Sequence, residues 1–236
     1  MTKLKQTTNV EASQLNYDHY SMDKYDKDIV NSIPYHQKLH ELIIGYLIKN
    51  FKGQEKCDVL DLGVGTGITT EIIKKQFPDF KFDVVDFSKK MLLGAKKKLG
   101  KENVKYIFGD YSKLKFDKKY DIVVSVIGLH HQNDDGKKLL FKRICALLNK
   151  GGIFILGDLV THKDPKIAAL NQALHLHHLV NKATDSQTLK DWSYHHLVLN
   201  ELAPVEDQIK WLKASGFKKV ELQMLEMNTA LIICQK

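Results

Sequence analysis

The sequence contains few cysteines, few prolines and almost no arginine. Its three cysteines, Cys57, Cys145 and Cys234, are far apart, and each lies in an apolar segment. An odd number of widely spaced cysteines does not suit a disulfide framework or a zinc site, because both need paired or clustered thiols. We therefore expect three buried free thiols.

Long apolar runs are also missing. No window approaches the roughly 18 consecutive apolar residues of a membrane-spanning helix, and the N-terminus lacks the apolar centre of a signal peptide. The hydrophobic fraction of 43% is nevertheless ordinary for a chain of 236 residues that buries a core. We expect a cytoplasmic globular protein that does not contact a membrane.

The chain carries a formal net charge of +8, yet Arg143 is its only arginine. Clustered cations can bind nucleic acid, but arginine is the side chain that normally contacts phosphates and bases in a bidentate manner. The lysines are spread over predicted helix ends and turns, which is typical of solvated surfaces. Nucleic acid is therefore an unfavoured partner, although the sequence alone leaves it open.

Apolar runs and helical patterns alternate from residue 57 onward. The run CDVLDL is typical of a strand buried on both faces of a parallel sheet, and ITTEIIKKQF follows it with helical spacing before Pro78. Similar units follow, with Ser88 as a helix N-cap and with Gly151 and Gly152 at the end of the helix after the fourth strand. The alternation predicts parallel strands joined by right-handed crossovers.

The end of the chain follows another pattern. The last two predicted strands, KKVELQMLEM and ALIICQK, are separated only by Asn228 and Thr229, and so short a connection makes an antiparallel hairpin. The sequence therefore predicts an α/β fold, a Rossmann-like doubly wound sheet of seven strands with a terminal antiparallel hairpin and a helical lid.

Two segments lie outside the alternation, residues 1 to about 50 and residues 161 to about 203. No linker rich in proline, glycine or serine separates them from the rest. We expect a single domain, 1–236, in which 1–50 form an N-terminal helical lid and 161–203 form a helical insertion. Both would lie over the carboxyl ends of the strands, where open sheets bind ligands.

The stretch DVLDLGVGTG joins the first predicted strand to its helix and has glycines at positions 63, 65 and 67. Glycines allow a ligand to approach the backbone closely, and the N-terminus of the next helix offers unpaired N–H groups. The spacing GxGxG departs by one residue from the dinucleotide fingerprint, and no Lys-Ser or Lys-Thr pair follows as in a phosphate-binding loop. A cofactor-binding turn of another kind is indicated.

DVLDLGVGTG resembles the first motif of the class I S-adenosylmethionine-dependent methyltransferases, and the resemblance extends over nearly the whole chain. In that family an acidic residue at the end of the second strand holds the ribose hydroxyls, and Asp86 in DVVDFS stands there. An acidic residue after the third strand holds the adenine amine, and Asp110 in FGDY matches it. The terminal hairpin is also that family's departure from the dinucleotide-binding fold. The resemblance implies an enzyme with S-adenosylmethionine as its cofactor.

The cofactor-binding residues that this resemblance implies lie on the glycine turn, at the strand ends and in the lid. They are Tyr25, Asp61, Gly63, Gly65, Thr66, Gly67, Asp86, Phe87, Ser88, Met91, Asp110, Tyr111 and Val126. Asp61 would reach the cofactor's amino group, and Phe87 and Met91 would line the adenine pocket beside Tyr111. For these apolar residues, ordinary core packing is an equal alternative.

Methyl transfer is an in-line displacement at a reactive sulfonium, so positioning and exclusion of water matter more than a strong base. The stretch SVIGLHHQNDD follows the fourth strand, and the resemblance implies that Val126 and Ile127 in it would contact the cofactor. His130 is the candidate catalytic base, because histidine can accept a proton near neutral pH. A packing or capping role for this histidine is the alternative.

The acceptor-binding residues are expected after the fourth strand and in the insertion, at His131, His175, His178, Trp192, Tyr194 and His195. His175 and His178 have the i, i+3 spacing of metal ligands. No carboxylate or cysteine completes a site beside them, so we predict no metal. Tyr17, Tyr20 and Tyr25 would close on the methionine end of the cofactor.

The predicted acceptor is a small molecule, and a homodimer is compatible with the sequence. One alternative is a tRNA-modifying methyltransferase, because the YD and SIP region and VEDQIKWLKASGF resemble the carboxymethoxyuridine tRNA methyltransferase group. That group holds a carboxylated cofactor with a lid arginine, which this chain does not have. The other alternative is a non-catalytic regulator that binds the cofactor.

Overall fold

The computed structural model describes residues 22–236, and the side chains from residue 24 onward. Tyr17, Tyr20 and the first part of the 1–50 segment lie outside the described residues. The α-helices, in chain order, are α1 (Met22–Ser32), α2 (His36–Phe51), α3 (Ile68–Gln76), α4 (Lys89–Leu99), α5 (Asp134–Leu147), α6 (Pro165–Lys182), α7 (Ser186–Tyr194) and α8 (Val205–Ala214). Between residues 22 and 236, none of these helices is long and apolar enough to cross a membrane.

Seven strands form one sheet: β1 (Asp58–Leu62), β2 (Lys81–Asp86), β3 (Val104–Phe108), β4 (Tyr120–Val126), β5 (Leu148–Leu159), β6 (Lys219–Glu226) and β7 (Thr229–Gln235). Their order is β3-β2-β1-β4-β5-β7-β6. The first five strands are parallel, whereas β7 runs antiparallel to both β5 and β6. Only Met227 and Asn228 separate β6 from β7, which leaves room for a reversal and for no crossover. The predicted fold, including the terminal hairpin, is confirmed.

One predicted boundary was wrong. The helix α5 ends at Leu147 rather than near Gly151, and Leu148 already belongs to β5, where it pairs with Tyr120. The register between β4 and β5 then shifts before Ile122. Gly151 has a positive φ of 78°. Gly151 and Gly152 therefore lie at a backbone irregularity within β5 and do not end the helix.

Helices cover both faces of the sheet. Side chains of α2, α3 and α4 form one apolar cluster with one face, and those of α5 and α8 form another cluster with the opposite face. Adjacent residues of β1 show the alternation, because Val59 belongs to the first cluster and Leu60 to the second. All three cysteines are buried and free, as predicted. The arrangement leaves the carboxyl ends of the strands as the edge at which ligands can bind.

We expect Gly67→Ala to lower the free energy of unfolding by about 1–2 kcal/mol, the usual cost of a left-handed backbone for a residue with a Cβ. Gly67 has φ 89°, and an added Cβ would lie 3.1 Å from Leu99 Cδ1. Gly45 is the matched control, since it lies within α2 and an added Cβ meets nothing within 4 Å. Gly45→Ala should therefore stabilise the protein by about 0.5–1 kcal/mol. Urea unfolding of both variants measures the difference, and equal effects would contradict this account of the turn.

Candidate functional site

The glycine turn between β1 and α3 is built from left-handed backbone. Gly63, Gly65 and Gly67 have φ angles of 79°, 55° and 89°, which residues with a Cβ rarely adopt. The nearest atom to a Cβ added at Gly65 would be Tyr25 Oη, at 3.9 Å. The turn therefore has open space at Gly65 that a ligand can enter.

Asp86, at the end of β2, holds this turn through its carboxylate. Its Oδ2 accepts a hydrogen bond from the Gly65 N–H at 2.8 Å, and its Oδ1 accepts one from the Ser88 N–H at 2.8 Å. The side chain is 5% exposed, and burial raises its pKa to about 6 although the backbone N–H groups act in the opposite direction. Each carboxylate oxygen has a second lone pair, so both can also accept a hydroxyl of a ligand.

Asp61 stands on the neighbouring strand, β1, and is almost completely buried. Its Oδ2 accepts a hydrogen bond of 2.5 Å from Thr70 Oγ1 at the start of α3. Burial raises the pKa of Asp61 to about 7, the Thr70 hydroxyl lowers it, and the nearby Asp86 raises it further. Two buried carboxyl groups at adjacent strand ends form a site that suits a cation.

We expect the affinity for S-adenosylmethionine to fall as the pH is lowered from 8 to 5. The pKa values of Asp86 and Asp61 are raised to about 6 and about 7, so both carboxyl groups gain protons in this range and lose their attraction for a cation. Each pH unit below a pKa of about 6 should raise Kd about tenfold. Titration calorimetry at several pH values measures this, with Asp61→Asn as the variant that should lose the upper part of the dependence. A flat profile in the wild-type protein would contradict the expectation.

The ligand-free fold should show the opposite dependence on pH. Because the folded protein binds these two protons more tightly than the unfolded chain does, the free energy of unfolding falls as the pH rises from about 4 to about 7. Ligand binding and stability thus respond to the same two carboxyl groups in opposite directions.

Asp110 follows β3, and residues of the loop after that strand bind its carboxylate. Its Oδ1 accepts hydrogen bonds from the backbone N–H and the hydroxyl of Ser112, at 2.8 and 2.6 Å. Lys113 Nζ lies 3.4 Å from Oδ2. The carboxylate is half-buried beside the sheet edge, in the position that the resemblance implies for an adenine contact.

The apolar candidates occupy different places. Met91 is buried, and its N–H donates to Ser88 Oγ at 3.2 Å, which confirms Ser88 as the N-cap of α4. Tyr111 is buried, and its hydroxyl donates to the Gly128 carbonyl at 2.9 Å. Phe87 and Val126 are half-buried. Tyr111 thus links the loop after β3 to the loop after β4.

Helix α1 lies over the glycine turn. Asp26 accepts a hydrogen bond from Thr66 Oγ1 and forms an ion pair of 2.6 Å with Lys98, and Tyr25 faces Gly65. Sequence reasoning singled out Tyr25 and Thr66 but missed Asp26. Asp26 is one of three aspartates in an amphipathic helix, and nothing in the sequence singled it out, because its partners lie 40 and 72 positions away.

A cavity of about 460 Å³ lies beside the turn, between α1, the end of β5 and the helices of the 161–203 segment. The predicted site residues among those that line it are Tyr25, His130, His131, His175, Trp192, Tyr194 and His195. His178 is engaged instead with the Asn31 carbonyl of α1, to which its Nε2 donates at 2.7 Å. The structure therefore brings together residues from both predicted covering segments.

The loop after β4 directs two histidines into this cavity. Ile127 has a positive φ of 52°, an uncommon conformation for a β-branched residue, and its N–H donates to the Gly157 carbonyl at 2.8 Å. A short 3₁₀ turn, Leu129–His131, follows. Backbone strain of this kind often marks a functional site, and here it turns the chain back over the sheet edge.

His130 and Asp158 form a buried pair at this edge. His130 Nδ1 lies 2.5 Å from Asp158 Oδ1, and the two side chains are 2% and 4% exposed. The other carboxylate oxygen of Asp158 accepts a hydrogen bond of 2.9 Å from the Leu129 N–H. Since the carboxylate binds Nδ1, Nε2 is the ring nitrogen that can act on a ligand. Sequence reasoning missed Asp158, which lies 28 residues away in an apolar strand.

The other cavity histidines are neutral. Burial, with a smaller contribution from neighbouring histidines, lowers the pKa of His195 to about 4, of His175 to about 4 and of His196 to about 3. Both nitrogens of His175 are engaged, Nε2 with the Ser32 carbonyl at 3.1 Å and Nδ1 with the Asn228 amide at 2.7 Å. His175 therefore joins α6 to α1 and to the hairpin.

Two cavity-lining groups are buried and unsatisfied within the described part of the chain. These are Nδ1 of His196 and Oδ1 of Asn200. Buried polar atoms normally have hydrogen-bond partners, so a polar ligand is the natural partner for both. Neither residue was among the site residues predicted from the sequence.

Residues 59–152, from β1 to the early part of β5, match the model of a methyltransferase domain. The solved structure of a DhpI–SAM–HEP complex superposes on this chain with a TM-score of 0.66 at 18% identity, over 98% of this chain and 99% of that one. The end-to-end superposition supports the fold described above.

Two curated relatives differ in how much of the chain they match. A malonyl-[acyl-carrier protein] O-methyltransferase of Ilyobacter polytropus is 36% identical over 103 residues, which cover 43% of this chain and 39% of that protein. A carboxy-S-adenosyl-L-methionine synthase of Staphylococcus epidermidis is 25% identical over 219 residues, which cover 91% of this chain and 93% of that protein. The chain spans from 31% to 65% of the length of the first four curated relatives it matches.

Proposed function

We propose that this chain, which belongs to the class I S-adenosylmethionine-dependent methyltransferases, transfers the cofactor's methyl group to an oxygen of a small molecule bound in the histidine-lined cavity. The membership was predicted from the glycine turn and is confirmed, and so is the cofactor it implies. The observation that carries the proposal is the buried His130–Asp158 pair, whose histidine lies on the wall of that cavity.

The cofactor fits the groups at the sheet edge. Asp86 can accept the ribose hydroxyls while it keeps its bonds to the turn, and the open space above Gly65 admits the methionine end. Asp61 and Asp86 supply negative charge near the sulfonium. The cofactor supplies the reactive methyl group, and these residues hold and orient it.

The cavity supports a small acceptor with a hydroxyl group. Its volume of about 460 Å³ is within the usual range for small-molecule sites, and residues of α1, α6 and α7 line it. Nε2 of His130 is available to accept the proton of a hydroxyl, and Asp158 stabilises the ring when it becomes charged. His196 and Asn200 supply further polar contacts.

The activities named for several relatives support oxygen as the atom methylated. The relatives include malonyl-[acyl-carrier protein] O-methyltransferases, and a structural neighbour from Burkholderia thailandensis is an O-methyltransferase family protein with a TM-score of 0.62 at 15% identity. We propose an oxygen acceptor because these names agree on oxygen, and because the His130–Asp158 pair can accept the proton that a hydroxyl loses on methylation.

Identification of the ligands that copurify with the protein tests this function. Native mass spectrometry should show S-adenosylmethionine or S-adenosylhomocysteine, and an acceptor found with it should yield S-adenosylhomocysteine and an O-methylated product in equal amounts. A product that carries the methyl group on nitrogen or carbon would contradict the proposed acceptor class. If the protein binds the cofactor but methylates no copurified or screened acceptor, the result would favour the alternative of a non-catalytic regulator.

The second candidate is the formation of a carboxylated cofactor. It is favoured by the match to carboxy-S-adenosyl-L-methionine synthases over more than nine tenths of the chain. The cavity wall carries Lys24 but no arginine, since Arg143 donates to the carbonyls of Ser112 and Leu114 elsewhere. Copurification of a nucleoside heavier than S-adenosylmethionine by one carboxyl group would favour this candidate over methyl transfer. A tRNA acceptor would instead appear as binding of tRNA that persists at physiological salt.

A further inference from the structure

Three cavity histidines converge on one point. One ring nitrogen of each of His130, His131 and His195 lies within 4.8 Å of the corresponding nitrogens of the other two. The ring centroids of His130 and His131 are 4.1 Å apart, and those of His131 and His195 are 5.1 Å apart. Imidazole nitrogens this close repel one another when charged, so only neutral rings or a shared cation suit the arrangement.

The hydrogen bonds of two of these rings determine which nitrogen is left to bind a ligand. Nδ1 of His130 binds the Asp158 carboxylate at 2.5 Å, and Nδ1 of His131 donates to the Leu199 carbonyl at 3.2 Å. Both partners only accept hydrogen bonds, so Nδ1 carries the proton and Nε2 carries the lone pair. Metal-binding histidines are oriented in this manner by a carboxylate or carbonyl behind the ring.

The third histidine is placed by an unusual helical turn. His195 begins a π-helical turn, His195–Leu199, at the end of α7, and such turns frequently occur at functional sites. The ring is half-buried and lines the cavity. Burial lowers the pKa of His195 to about 4 and that of His131 well below its usual range, so both rings are neutral, as a metal ligand must be.

We propose that Nε2 of His130 and of His131, together with a ring nitrogen of His195, bind one divalent first-row transition metal ion, Zn²⁺ above all, with a fourth position open to the cavity. Three neutral histidines and an open position form a ligand set typical of catalytic zinc, and Asp158 supplies negative charge behind it. Bonds of about 2.0–2.1 Å require nitrogens roughly 3.3 Å apart, so a small rotation of the half-buried His195 must close the cluster.

The proposed metal site does not include the histidine pair whose i, i+3 spacing resembles that of metal ligands in the sequence. His175 and His178 are i, i+3 on α6, but their rings are engaged with α1. The three converging histidines come instead from the loop after β4 and from the end of α7. Where the sequence predicted no metal, the tertiary structure thus supplies a ligand set.

The role of the ion rests on the proposed function, whereas its binding does not. An ion in this position would hold an acceptor oxygen and favour its deprotonated form. Nε2 of His130 would then act as a ligand instead of accepting the proton directly, and the proton would pass to water as the methyl group is transferred.

Metal binding by tag-free protein tests the inference. Protein stripped with a chelator and titrated with Zn²⁺ should bind one ion per chain, and Co²⁺ should give the intense visible absorption of a four-coordinate site. His131→Ala and His195→Ala should each weaken Zn²⁺ binding by at least about 100-fold, and Asp158→Asn by roughly 10-fold to 100-fold as a partner behind a ligand. His177→Ala is the matched control, because His177 is exposed on α6 and should leave the affinity unchanged.

Circular dichroism and cofactor titration separate loss of the site from loss of the fold. If His131→Ala does not fold, His131→Gln replaces it. Wild-type protein that binds no Zn²⁺ or Co²⁺, or binding that survives both ligand substitutions, would overturn the inference. If the protein binds no metal but still forms S-adenosylhomocysteine, the inference is wrong and the proposed function stands. If it binds the metal but transfers no methyl group, only the proposed function is contradicted.

Discussion

His130→Ala is expected to slow methyl transfer by roughly 10²-fold to 10⁴-fold, the usual contribution of a positioned acid–base group. The ring lies on the cavity wall, and its buried carboxylate partner is 2.5 Å from Nδ1. Among the described residues, no other histidine of the cavity forms a hydrogen bond with a carboxylate. The rate of S-adenosylhomocysteine formation at saturating cofactor measures the loss.

Two further variants test whether the loss comes from the His130–Asp158 pair. Asp158→Asn keeps the size of the side chain but removes the charge that stabilises the protonated ring, so kcat should fall while the Kd of the cofactor stays the same. His177→Ala changes an exposed histidine of α6 and should retain full activity. A His130→Ala enzyme with undiminished kcat would show that the pair only fastens the loop after β4 to β5.

Asp86→Ala is expected to weaken S-adenosylmethionine binding by about 1.5–3 kcal/mol, which is roughly tenfold to 150-fold in Kd. The carboxylate is the acceptor for two backbone N–H groups and is available to the ribose hydroxyls of the cofactor. Its removal therefore costs ligand contacts and also loosens the turn that surrounds the ligand. Titration calorimetry gives the change directly.

Asp79→Ala is the control for the loss of a negative charge, because Asp79 is exposed in the turn before β2, the strand that ends at Asp86. It should leave Kd within about twofold, since an exposed charge contributes little. Asp86→Asn keeps the side-chain volume and one acceptor oxygen, so its loss should be smaller than that of Asp86→Ala. Cofactor binding unchanged in both Asp86 variants would show that the carboxylate serves only the turn.

Local chemistry allowed the cofactor side of the site to be predicted from the sequence. Gly63, Gly65 and Gly67 mark a turn with left-handed backbone, and the apolar runs before them fix the strands. Parallel strands end at one edge of the sheet, so Asp61 and Asp86 had to lie near that turn. The hairpin followed in the same way, because a two-residue connection permits only one direction of return.

Long-range packing decided the acceptor side, and no local pattern encodes it. Asp26 meets Thr66 only because α1 crosses the turn, and Asp158 meets His130 only because β4 and β5 are neighbours with a fixed register. His195 joins His131 across 64 residues, through the packing of the 161–203 segment against the loop after β4. The sequence by itself determined the sheet, the turn and the cofactor, since those depend on residues close together in the chain. Only the tertiary structure decided which histidines share a cavity, because burial against other elements orients each ring.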